Sequence, residues 1–194
     1  MTAPIELIPL KCVHCDTLLQ AAEAEVAWAC PQCGQGTQWT TDGLAPLPVH
    51  WCASRPGPTP LRWLPFWVFT GSVNITQRRT FRGGNQPDPL WNAPRRFYIP
   101  AYTAPLEHIE RLGAELTRTQ PALTAGQASG KFNGCALPPH EALYAAEFVV
   151  INIEAERQDM LRSIEFTIEN VSQPELWLLP FAGEPSLNTL AIKK

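Results

Sequence analysis

Two cysteine pairs, "CVHC" at residues 12–15 and "CPQCG" at 30–34, constrain this chain more than any other feature. Each pair has two residues between its thiols, and fourteen residues (16–29) separate the pairs. Thiols two residues apart reach one tetrahedral ion from a single tight turn, and a second such turn completes four ligands. Cys12, Cys15, Cys30 and Cys33 are therefore the expected ligands of one metal ion. Gly34, after the second pair, lets the backbone turn its amides toward the sulfurs. Other uses of the motif fit less well. A redox dithiol needs one C-x-x-C opening a helix, and Gly34-Gln35-Gly36 opposes a helix. Covalent haem attachment needs a histidine after the second cysteine, where Asp16 and Gly34 stand.

The two motifs resemble the knuckles of the zinc-ribbon family, over about residues 8–43 only. The resemblance implies knuckles carried on β-hairpins and one structural zinc held by the four cysteines. It implies nothing about partners, because zinc ribbons serve many. Iron held by the same four thiolates, as in a rubredoxin-like site, stays open as the alternative ion. His14, between two ligands, points away from the ion and reads as a surface residue.

Six cysteines in a reducing compartment argue for metal and free thiols over disulfides. The N-terminus has no basic start and no long apolar run, so no signal peptide is expected, and no stretch approaches the roughly 20 apolar residues that span a bilayer. These features predict a cytoplasmic chain with no membrane span. The net charge of −3 gives no bulk attraction to nucleic acid. The charge is uneven, however. Residues 78–96 carry Arg78, Arg79, Arg82, Arg95 and Arg96 against Asp88 alone, while residues 141–184 carry nine acids against Arg157 and Arg162.

The 20 prolines, about twice the average share, favour short strands and turns. The pattern predicts an α+β fold: a zinc ribbon at 1–45, a stiff proline-rich connection at 46–60, and an antiparallel-sheet domain with one or two helices at 61–194. Within that domain, "LRWLPFWVFTGSVNITQ" predicts one strand or two, with Pro65 at an edge or a strand end. "RGGNQPDPLWNAP" predicts a long loop and "RRFYIPAY" a strand. Leu106, Ile109, Leu112 and Leu116 recur at helical spacing, with Thr103 as N-cap, Pro105 early in the helix and Pro121 as the stop. "PPHEALYAAEF" predicts a second helix, and "FVVINIEA", "SIEFTIENV" and "ELWLLPF" three more strands.

The motifs that carry catalysis fail. "GQASGKF" at 126–132 has only three residues between its glycines and a phenylalanine where a phosphate loop needs a hydroxyl. "HEALY" lacks the second histidine of a zinc-protease helix. Cys135 with His140 is the remaining thiol–imidazole candidate. Arg78, Arg79, Arg82, Trp91, Arg95 and Arg96 combine the residue types that dominate protein-binding hot spots. The expected function is a non-enzymatic adaptor or accessory subunit that binds a protein partner. The alternatives are single-stranded nucleic-acid binding by segment 78–98, disfavoured by the acidic chain, and an enzyme with a site near Cys135 and His140.

Overall fold

The computed structural model of the chain describes residues 9–127 and 134–193. Its first sheet is an antiparallel meander of β1 (Ala27–Ala29), β2 (Gly36–Thr40) and β3 (Gly43–Leu47). Gly43 turns the β2–β3 hairpin at φ 110°, and the Thr40 hydroxyl donates to its carbonyl. Leu47 already lies in the main core, and β4 (Val49–Trp51) follows at once.

The expected connection at 46–60 is therefore structured at its start. Trp51 and Cys52 are buried, and exposed backbone begins at Arg55. The prolines explain the division. Pro46 and Pro48 precede β4 and Pro56, Pro58 and Pro60 follow it, so residues 49–52 keep their ladder donors.

The second sheet is built on β5 (Arg62–Thr80), a single strand of 19 residues. β6 (Arg95–Pro100) and β8 (Glu175–Phe181) pair antiparallel with its first part, at residues 66–71 and 62–68. β7 (Leu161–Glu169) pairs with residues 72–80. β4 runs parallel to β8, so the sheet is mixed where an antiparallel one was expected. Pro65 stands just before the β6 ladder begins. Its carbonyl accepts from Ala101, whose own carbonyl takes Ala136 in place of the missing proline N–H.

The first half of β5 is buried on both faces, which accounts for its continuous run of large apolar residues. Trp67 and Phe69 join Phe97 and Ile99 in one cluster; Leu64, Phe66 and Val68 join Tyr98 and Phe181 in the other. Each such side chain contributes about 1.5–3 kcal/mol by leaving water. Ile164, Phe166 and Ile168 of β7 are half-buried while Glu165, Thr167 and Glu169 are exposed, the predicted alternation.

Two helices complete the α+β fold. Helix α1 (Leu106–Thr119) is capped by Pro105 rather than Thr103, and ends at Gln120 in the left-handed conformation. Leu112 and Leu116 are buried, but Leu106 is exposed. Helix α2 (Pro139–Ala155) absorbs "FVVINIEA", which was expected to be a strand. The reason is tertiary: as a helix, this segment lays Ala142, Ala146, Val149, Val150 and Ile153 against the Trp67 cluster in one stripe. That packing outweighs the β-propensity of its valines and isoleucines.

Candidate metal centre

The two knuckles share one backbone design. The Cys12 and Cys30 amides donate to the Thr17 and Gln35 carbonyls, and the Asp16 and Gly34 amides donate back to Cys12 and Cys30. Each turn closes on a residue with positive φ, 58° at Asp16 and 73° at Gly34. Glycine takes that conformation freely, and aspartate is among the few side chains that tolerate it. The His14 amide lies 3.4 Å from Cys12 Sγ, within reach of a thiolate, while the side chain is exposed.

These turns bring the four sulfurs within 4.8 Å of one another. Cys12 and Cys33 lie 3.6 Å apart, as do Cys15 and Cys30. Those separations are far too long for disulfides and close to the spacing of about 3.8 Å between sulfurs bonded at about 2.3 Å to a tetrahedral ion. The set fits a metal ion and is consistent with a zinc-ribbon-like site. The thiols differ in acidity. The Thr17 hydroxyl holds Cys15 down at about 6, whereas burial pushes Cys33 up to about 12. A metal ion is bound by thiolates, so its binding releases thiol protons. With four protein sulfurs the tetrahedron is closed and leaves no position for a substrate.

The apolar cluster around the knuckles is small. It is Cys12, Leu19, Trp28 and Cys30 with Leu10, Cys33 and Leu44 at its margin. The Trp28 indole and the Ala22 amide both donate to Glu25. The module is stitched to the main body through Ala27, which pairs with Cys135.

The six residues predicted to bind a partner do not form one surface. Arg78 has a fully buried side chain. It donates to Glu154 at 2.6 Å, to both Asp159 oxygens at 2.6 and 2.8 Å, and to the Gly84 carbonyl. Trp91, also buried, donates to Glu154, as do the Asp88 amide and Arg157. The loop expected at 82–94 does run between the end of β5 at Thr80 and the start of β6 at Arg95, but it holds a short 3-10 helix at Pro89–Asn92 and is clamped to the end of α2. Arg78 and Trp91 are fold residues, because burying the guanidinium demanded the two carboxylates. Arg95 donates to the Leu90 carbonyl, and the Arg96 backbone is paired by the Gln120 side chain. Only Arg79 and Arg82 are exposed. Arg95 pairs with Gly71 and Arg79 lies eight residues further along β5, roughly 26 Å away at about 3.3 Å per residue.

Cys135 and His140 are not a nucleophile–base pair. The Cys135 thiol is buried, donates to the Leu137 carbonyl and is pushed up to about 12 by burial, whereas the His140 side chain is 73% exposed beside Glu141. Residues 128–132 of the glycine loop lie outside the described residues. A group that the sequence reading missed lines a cleft of about 1420 Å³ between the second knuckle and the main body: Trp28, Trp51, Arg62, Tyr102, His108 and Glu184. The Tyr102 hydroxyl and His108 Nε2 are 3.1 Å apart, and burial raises the phenol above its ordinary pKa. These residues come from five separate segments, so no linear spacing announces them. No described helix is long and apolar enough to cross a membrane. Comparison with protein-family models, curated proteins and solved structures gave no match.

Proposed function

We propose that this chain is a non-enzymatic accessory protein of the cytoplasm, in which a structural zinc holds the N-terminal ribbon and the α+β body docks a protein partner. Zinc suits four thiolates in a closed tetrahedron and adds stability without chemistry of its own. The observation that carries the docking is the outer face of α2. Leu143, Tyr144, Phe148 and Ile151 are 38%, 66%, 49% and 39% exposed along one side of a helix whose other side is core. Glu147 is exposed on the same face, and an exposed apolar patch of this kind marks an interaction site. Binding of nucleic acid by segment 78–98 has less support, since Arg78 and Trp91 are committed to Glu154.

The test is affinity isolation from the native host with the wild-type chain and with Tyr144→Ser/Phe148→Ser. A stoichiometric partner retained by the wild type and lost by the variant, with the variant's melting temperature unchanged, is the expected result. A wild-type chain that isolates alone would remove the accessory role. Metal analysis accompanies it, with one zinc per chain expected; iron would show as visible colour.

A further inference from the structure

The far end of the β5–β7 ladder carries a second surface. The register pairs Arg79 with Ser163 and then Thr80 with Leu161, which leaves Arg162 as an extra residue on β7. Such a bulge twists a strand and re-aims a side chain. Here the Arg162 guanidinium sits over the Phe81 ring, 5.7 Å from its centre. Phe81 is 67% exposed and Met160, whose carbonyl accepts from the Phe81 amide, is 50% exposed. Among the described residues, the Arg79 side chain reaches only Gln77, and that of Arg82 only the Gln158 carbonyl. Among the described residues, none of Arg79, Arg82 and Arg162 has an ion-pair partner.

The nearby acids do not neutralise them. Glu154 and Asp159 are paired with Arg78 and Arg157, and Glu165, held by the Gln77 amide, makes no ion pair with any of the three among the described residues. The same buried network fixes the tip in place, because Arg78 also binds the Gly84 carbonyl and the Arg82 amide donates to the Asp159 carbonyl. Three cations around two exposed apolar side chains thus stand pre-positioned on a chain of net charge −3.

We infer that this tip docks an acidic protein segment bearing an apolar anchor residue, which packs on Phe81 and Met160 while its carboxylates meet Arg79, Arg82 and Arg162. The inference rests on the protein-docking reading above and adds a second contact to it. Charge complementarity sets the class of partner. Single-stranded nucleic acid fits less well: it is held by stacking on free aromatic faces, and the one aromatic ring here already has Arg162 on a face. An anionic membrane surface fits less well too, since such recognition draws on clusters of about four to eight basic residues.

The test uses the full chain with its metal and fluorescence anisotropy. The probes are a labelled peptide of Glu and Asp around one Leu, labelled oligothymidine, and phosphatidylserine vesicles. The peptide is expected to bind, more weakly as salt rises. Affinity should fall about tenfold or more in Arg79→Glu/Arg82→Glu/Arg162→Glu, since like charges now face each other. It should fall also in Phe81→Ser/Met160→Ser, stay near wild type in Arg79→Lys/Arg82→Lys/Arg162→Lys, and be unchanged in the α2 variant Tyr144→Ser/Phe148→Ser. Equal peptide affinity in the wild type and the charge-reversed variant overturns the inference, as does tighter, tip-dependent binding of oligothymidine or vesicles, or no binding of any probe. A native partner retained by tip variants and lost by the α2 variant also overturns it while leaving the accessory role standing. A wild type with no native partner removes that role instead.

Discussion

At the scale of single residues, the most consequential choice is Glu154. Its carboxylate is fully buried and takes Arg78, Arg157, the Trp91 indole and the Asp88 amide. Four donors meet the two oxygens of this carboxylate, which is the condition under which buried charge is tolerated. Glu154→Gln leaves Arg78 buried with one carboxylate, and is expected to cost about 3–5 kcal/mol in denaturant unfolding and to free the 81–92 segment to proteolysis. A loss within experimental error would show that Asp159 alone suffices. The network also gives a pH signature. Hydrogen bonds from Arg78 hold the Asp159 carboxyl below its ordinary value of 3.8. A depressed carboxylate stabilises the fold fully above that ordinary value and loses its contribution as pH falls through the lowered one. Melting temperature should therefore drop below about pH 4, and less steeply in Asp159→Asn.

At the scale of elements, the open question for any sheet is its edges. The β4 edge is covered by the 124–126 segment, through Ala53 to Thr124 and Gly126 to Trp51. The β6 edge is closed by one side chain. Gln120, at the left-handed end of α1, accepts from the Arg96 amide and donates to the Arg96 carbonyl, as a neighbouring strand would. Gln120→Ala keeps the backbone strain and removes only this mimicry. It is expected to cost about 1–2 kcal/mol in denaturant unfolding and to produce concentration-dependent association in sedimentation. A variant that stays monomeric at high concentration would show that α1 itself shields the edge.

At the scale of the whole molecule, the proposed zinc would sit in a small three-stranded sheet joined to a larger one. The apolar cluster of the N-terminal sheet is small, and structural zinc supplies about 10–16 kcal/mol in comparable peptides, so a bound zinc would carry that part of the fold. The second sheet holds most of the two larger clusters, to which the first contributes only Ala27, Ala29 and Leu47. Chelation should therefore remove hydrogen-exchange protection from residues 27–47 and from the paired amide of Cys135, while β5, β6 and β8 keep theirs. Loss of protection along β5 would mean that the two parts fold as one unit. Affinity for the ion should weaken as pH falls, because the thiols must lose protons to bind it.

How much of this was legible in advance divides along a physical line. The clustering of the four cysteines was readable because both knuckles are local: four residues close each turn, so spacing alone specifies geometry. The strands β6, β7 and β8 were readable from apolar alternation and proline boundaries, and α1 from its three- and four-residue periodicity. Helix α2 was legible only in its first part, since Val149 to Ile153 favour strand until a sheet face exists for them to pack on. The six partner candidates looked like one basic, aromatic loop because sequence places them together. Tertiary structure sent Arg78 and Trp91 inward to acids more than 60 positions away, and left Arg79 and Arg82 at a tip beside Arg162. The amino-acid sequence by itself determined what depends on neighbours in the chain: the two cysteine knuckles, strands β5 to β8 and the first helix. Only the tertiary structure decided which charges are buried and which face water, because that depends on contacts across the fold and on the high cost of burying a charge without its partner.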